Sequence, residues 1–151
     1  MRCLIFIAFF SSAAGSAWAA TLNVVTSLSA GGSGEYTEIA DAMTSAGAGD
    51  VISIPSGRWV TNDIKFNSLG NREISIVGTP DATSLDVIID GNGTNTVFTF
   101  IEPIDAWSIT ISNVTIENGV TGNNGGGGMF INGSGIRVTL DNVLVSGNRT
   151  S

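Results

Sequence analysis

The chain has 151 residues, is 42% hydrophobic, and sets 13 acidic side chains against 6 basic ones for a net charge of -7, with no histidine. A nucleic-acid partner is excluded by that balance, because a phosphate polyanion demands clustered Lys and Arg. Here Lys65 is the sole lysine, and beyond Arg2 the arginines Arg58, Arg72, Arg137 and Arg149 are scattered.

Arg2 is followed by an apolar run over 3–10, small residues over 11–15, and Ala17-Trp18-Ala19. These are the parts of a secretory leader, expected at 1–19, with Ala20 opening the mature chain and a secreted, extracellular or cell-surface destination. A membrane anchor fits less well, since the run falls well below the roughly 20 residues needed to span a bilayer. No cysteine follows the small residues, which argues against a lipid anchor. Cys3 is the only cysteine and leaves with the leader. The mature chain then forms no disulfide even in an oxidising space. Loss of Arg2 takes the net charge from -7 to -8.

Residues 20–50 are expected to hold an N-terminal strand and a short capping helix. Gly31, Gly32 and Gly34 form an entry turn, and Thr37 is placed to cap an amphipathic turn through Ile39, Ala40, Ala42, Met43 and Ala46. Gly47 and Gly49 end it. From 51 to 151 the pattern changes to short runs rich in Val, Ile, Phe and Thr between Gly, Asn, Asp, Ser and Pro. Strands are expected at 51–54, 74–77, 87–89, 97–100, 109–111, 114–116, 129–131, 138–140 and 143–145.

Internal repetition is the most informative feature. SITISNVTIENG at 108–119 and RVTLDNVLVSGN at 137–148 lie 29 residues apart, with Thr110, Asn113 and Val114 matching Thr139, Asn142 and Val143. Side chains alternate faces along a strand. Ile109 and Ile111 share one face, Val114 and Ile116 another, and the three-residue step between them requires a corner at Ser112-Asn113. Asn tolerates the left-handed conformation of a sharp corner, so Asn113 and Asn142 are the expected structural corner positions. A hairpin array satisfies the same parity, but its favoured turns want Asn-Gly or a central Gly, absent from Ser112-Asn113 and Asp141-Asn142. A solenoid also stacks like residues at the roughly 4.8 Å strand spacing, placing Asn113 on Asn142, where amides bond each other.

On these residues the chain resembles the right-handed parallel β-helix proteins of the pectin-lyase-like superfamily. GDVISIPSGRW at 49–59 is similar to that family's entry strand after a capping helix, and VIIDGNG at 87–93 to its early coil. The 108–148 region is similar to the repeats of polymorphic outer-membrane and adhesin-type β-helix proteins. It departs from their Gly-Gly-Ala-Ile and Phe-x-x-Asn elements at Gly127-Gly128-Met129 and at Val145 to Asn148. The resemblance implies an all-β, right-handed parallel β-helix (solenoid) with a short N-terminal capping helix. One such scaffold hosts many functions.

Chemistry is sparse. The glycines at 125–128 lack the Lys-Ser/Thr ending of a phosphate loop and read as a tight loop between coils. A hydrolase needs two carboxylates. Asp81, Asp86 and Asp90 lie close in sequence, but the family's early IDG element is structural, which favours a turn role for Asp90. Neither an Asp-Asp pair nor a histidine-bearing hydrolase motif occurs. Lyase chemistry wants a calcium cage and a base; Arg137 with Asp141 supplies too few carboxylates. Trp59, Trp107, Phe98, Phe100 and Phe130 could stack on sugars if exposed, although alternation puts Phe98 and Phe100 inside. Asn92, Asn113, Asn132 and Asn148 begin N-x-Ser/Thr sequons, which also arise by chance, and a corner at Asn113 excludes a glycan there.

The expectation is a noncatalytic secreted or cell-surface protein presenting a stacked surface for adhesion or glycan contact. No catalytic, cofactor or metal residues are assigned. Its expected partners are extracellular polysaccharide or cell-surface glycan, without nucleic acid or a transmembrane segment in the mature chain. The alternatives are the N-terminal part of a pectate-lyase-like or polygalacturonase-like enzyme and a structural stalk. A further coil is expected after Ser151, because solenoids need a polar end cap.

Overall fold

A computed structural model describes residues 19–26, 34–66, 72–79, 83–101, 106–122 and 125–151. The expected leader through residue 18, together with Gly31, Gly32 and Asp81, lies outside the described residues.

The chain enters through β1 (Thr21–Val24) and β2 (Glu35–Tyr36), then forms helix α1 (Ile39–Ser45). The cap differs from expectation by one residue. Glu38, not Thr37, is the N-cap; it has extended φ and ψ, and its carbonyl accepts the Ala42 amide at 3.2 Å with no side-chain cap bond. What holds so short a helix is burial, since Ile39, Ala42 and Met43 all face the core.

Next come β3 (Val51–Ile54), β4 (Gly57–Val60), β5 (Ile64–Phe66), β6 (Arg72–Gly78), β7 (Val87–Asp90) and β8 (Phe98–Ile101). They are followed by β9 (Trp107–Glu117), β10 (Val120–Thr121), β11 (Met129–Asn132), β12 (Ile136–Ser146) and β13 (Arg149–Thr150). The protein is therefore mostly β. Every strand pairing among the described residues is parallel. Strands 4 and 5 fell outside the expected runs, because Gly57-Arg58-Trp59-Val60 and Ile64-Lys65-Phe66 are too short and mixed to show alternation.

Strands β9 and β12 each have two limbs joined at a corner. Asn113 and Asn142 hold φ of 56° and 50°, and Asn142 Nδ2 donates to Asn113 Oδ1 at 2.9 Å. The first limb of β9 pairs with β6 and its second with β7. One sheet face thus runs β1, β3, β6, β9, β12, and a second runs β4, β7, β9, β12. A third is β5, β8, β11, and β10 pairs with β13.

All three faces deliver side chains to one core. Ile52, Ile76 and Ile111 come from the first, Val87, Ile89, Val114 and Ile116 from the second, and Ile64, Phe66, Phe98 and Phe100 from the third. Phe66 meets Trp107 edge-on at 4.4 Å, and Phe98 stacks with Phe100 at 5.9 Å, adding directional contact to area burial.

Partners on the first face advance from Thr21 to Val51, Ser75, Thr110 and Thr139, steps of 30, 24, 35 and 29 residues. Only the last step equals the spacing read from sequence. Asn148 ties that step at a second corner: its Nδ2 donates to Ile116 O at 2.8 Å and its Oδ1 accepts the Gly119 amide at 2.7 Å.

Candidate functional site

Two polar constellations stand on the outside of the sheets. The first is built by β4, β7 and the second limb of β9, which bring Val60, Asp90 and Glu117 into one row. Arg58, two residues before Val60, shares that outer face. Its Nη1 donates to Asp90 Oδ2 and, at 2.6 Å, to Glu117 Oε1. The other oxygen of Asp90 accepts the Asn92 amide at 2.8 Å, the local turn bond typical of Asp.

Burial is the largest influence on Asp90 and opposes ionisation, but the Asn92 amide, the Arg58 guanidinium and the Asn118 side chain together hold its carboxyl below the ordinary value. Hydrogen bonds to Glu117 and then Asp90 raise Arg58 further above its own. A glycosidase pair needs one carboxyl protonated near neutrality. Asp90 is biased the other way, and a guanidinium fills the space between the two acids. The trio ties three strands together instead of forming an acid-base pair. Asp86 is separate, closing an exposed loop by accepting the Thr83 amide at 2.9 Å and its hydroxyl at 2.8 Å. Those bonds, the amide first, lower its pKa.

The second constellation is the outer face of β1, β3, β6, β9 and β12. Alternation sends Ile74, Ile76, Ile109 and Ile111 inward, so their neighbours point out in rows across the strands. One row is Thr21, Val51, Ser75, Thr110, Thr139, and a second is Asn23, Ser53, Val77, Ser112, Asp141. A third, Glu73, Ser108, Arg137, lies at the strand starts. Rows are about 6.6 Å apart along the strands and strands about 4.8 Å apart. The third row opens on a cleft of about 460 Å³ lined by Glu73, Ala106, Trp107, Ser108, Gly135 and Arg137. It sets a carboxylate and a guanidinium on either side of a hydroxyl.

Four of the five aromatic candidates turn inward. Phe98, Phe100 and Trp107 are buried, and Trp59 packs against the core while its Nε1 donates to Pro55 O at 2.9 Å. Phe130 is half-buried. The glycine run at 125–128 belongs to packing: a Cβ on Gly127 would stand 2.4 Å from Gly119 O, and Val97 N donates to Gly127 O at 3.0 Å. Arg137 and Asp141 are both exposed on β12. Among the described residues no group of three or more His, Cys, Asp or Glu gathers to hold a metal, and no helix is long and apolar enough to cross a membrane.

Sequence reasoning missed the Arg58, Asp90, Glu117 trio and the Glu73, Ser108, Arg137 row. Strand parity was the available signal for both, but it required the pairing partners of β4 and β6. Comparison with protein-family models, with curated proteins and with solved structures finds no match.

Proposed function

We propose that the chain is a secreted or cell-surface right-handed parallel β-helix protein whose β1 to β12 outer face docks extracellular glycan without transforming it. The winding reading rests on parallel pairing throughout, three faces sharing one core, and positive φ at Asn113, Asn118, Asn142 and Gly147. Right-handedness follows from the strong preference of parallel crossovers for that hand. Export is supported by the sequence at 1–19.

The single observation carrying the glycan reading is the set of outward rows in register over five strands, rich in Ser and Thr and ending in the Glu73, Ser108, Arg137 cleft. Hydroxyls both donate and accept, so they can exchange their bonds to water for bonds to sugar hydroxyls, directly or through retained water. Repetition suits a repeating polymer, where many weak contacts sum by avidity. With Phe98, Phe100, Trp59 and Trp107 turned to the core, this face has little stacking surface, which implies weak affinity per sugar.

The test is retention on a panel of insoluble polysaccharides, with turnover of polygalacturonate followed in parallel with and without calcium. Retention without turnover is expected, reduced several-fold by Thr110→Val with Ser108→Ala, which remove hydroxyls but no core contact. Absence of retention across the panel, or turnover of polygalacturonate, would contradict the reading.

A further inference from the structure

The start of β1 is held by one carboxylate. Thr21 is in register with Val51, which puts Ala20 beside Asp50, and Val51 N donates to Ala20 O at 2.9 Å. The Ala20 amide donates in turn to Asp50 Oδ1 at 2.8 Å, while Asp50 Oδ2 accepts the Gly47 amide at 2.7 Å, just past the end of α1. Asp50 is fixed from both sides: its N–H donates to Gly47 O at 3.3 Å and its carbonyl accepts the Ser75 amide at 3.0 Å. Its half-buried carboxylate is thus positioned in advance by a turn and by β6.

Ala20 is also where the mature chain opens if residues 1–19 are a leader. Cleavage one bond to either side would put Trp18 where a small residue is required. Hydrolysis of the Ala19–Ala20 bond consumes one water. The water oxygen goes to Ala19, which leaves as a carboxylate, and both water protons go to the Ala20 nitrogen, which becomes an ammonium. An α-amino group with a pKa of about 7.7–8.0 stays mostly protonated at neutral pH.

We infer that cleavage between Ala19 and Ala20 creates an ammonium that Asp50 is placed to accept, so that processing turns a neutral main-chain bond into an ion pair tying the new terminus to the exit of α1 and the start of β3. The inference rests on the leader reading of residues 1–19. Charge-assisted bonds are stronger than neutral ones, but Ala20 is exposed, so the gain is that of a solvent-exposed pair, about two- to fivefold in the folding equilibrium. The gain is absent while the leader is attached.

The test begins with the intact mass of the full chain after export, expected to correspond to residues 20–151. Urea unfolding of that product is then compared with its Nα-acetylated form and with a chain carrying one glycine inserted between Ala19 and Ala20. Both changes leave Ala20 an uncharged amide and leave Asp50 intact. Each is expected to lower the folding equilibrium constant about two- to fivefold, and acetylation should have no such effect in Asp50→Asn. If Asp50→Asn does not fold, the acetylated and glycine-extended chains decide the matter. A product that keeps residues 1–19, or one that begins at Thr21, would refute the leader boundary and the inference with it. A terminus at Ala20 whose acetylation costs nothing, or costs as much in Asp50→Asn, would overturn the inference alone.

Discussion

At Asn113 and Asn142 the chain turns through φ of 56° and 50°, a conformation that costs L-residues other than Gly, Asn and Asp about 1–2 kcal/mol. Replacing Asn113 by Val is expected to lower stability in urea by about that amount, and by Gly to change it little, apart from the lost amide bond. Both asparagines are named in the sequence by their place in the two copies. Asn118 and Gly147, at φ of 53° and 63°, are not, because the residue type changes between copies. Arg58 was illegible for a different reason: its partners Asp90 and Glu117 lie far along the chain, and nothing local announces them. The depressed Asp90 pKa gives a pH prediction with a definite sign. A carboxyl whose folded pKa lies below its unfolded value of about 3.9 stabilises above that value and loses the contribution as pH falls through the folded pKa. Acid unfolding profiles of Asp90→Asn should therefore show a shallower decline below about pH 4 than the wild type, with reduced stability at neutral pH.

Elements of sustained alternation, such as the limbs of β9, were readable because one face is buried and the period of two is strict, and β12 repeats the same apolar spacing. The 29-residue spacing between the two copies is also the register in which they pair. Earlier steps of 24, 30 and 35 residues carry loops of different length, which erase a fixed period although the strands still pair. Two-residue strands such as β10 and β13 carry no periodicity at all. Glycines between elements act through closeness of backbone. A Cβ on Gly119 would meet Gly127 O at 1.9 Å, whereas one on Gly122 meets nothing within 4 Å. Gly119→Ala is expected to destabilise by about 1–3 kcal/mol or more through overpacking. Gly122→Ala should be near neutral in the same thermal or urea melts.

For the whole molecule, the core shared by three sheet faces stands in for the cross-links that a chain whose only cysteine is Cys3 does not form within itself. Ile111 is fully buried in it, and Ile111→Ala should lose about 2–5 kcal/mol, read from the urea midpoint. All-β class was legible from the composition of the runs. The outer face was not, since a row of Thr and Ser across strands becomes visible only once the register is known. That register underlies the outer face proposed to dock glycan, and a cross-link tests it most directly. Parallel neighbours about 4.8 Å apart fall within the Cα range of a disulfide, about 4.4–6.8 Å. With Cys3→Ser in place, Thr110→Cys and Thr139→Cys together should oxidise to an intramolecular disulfide with the melt cooperative and unweakened. Failure of that pair to close, while Thr110→Cys closes instead with Asp141→Cys or with Arg137→Cys, would contradict the stacking.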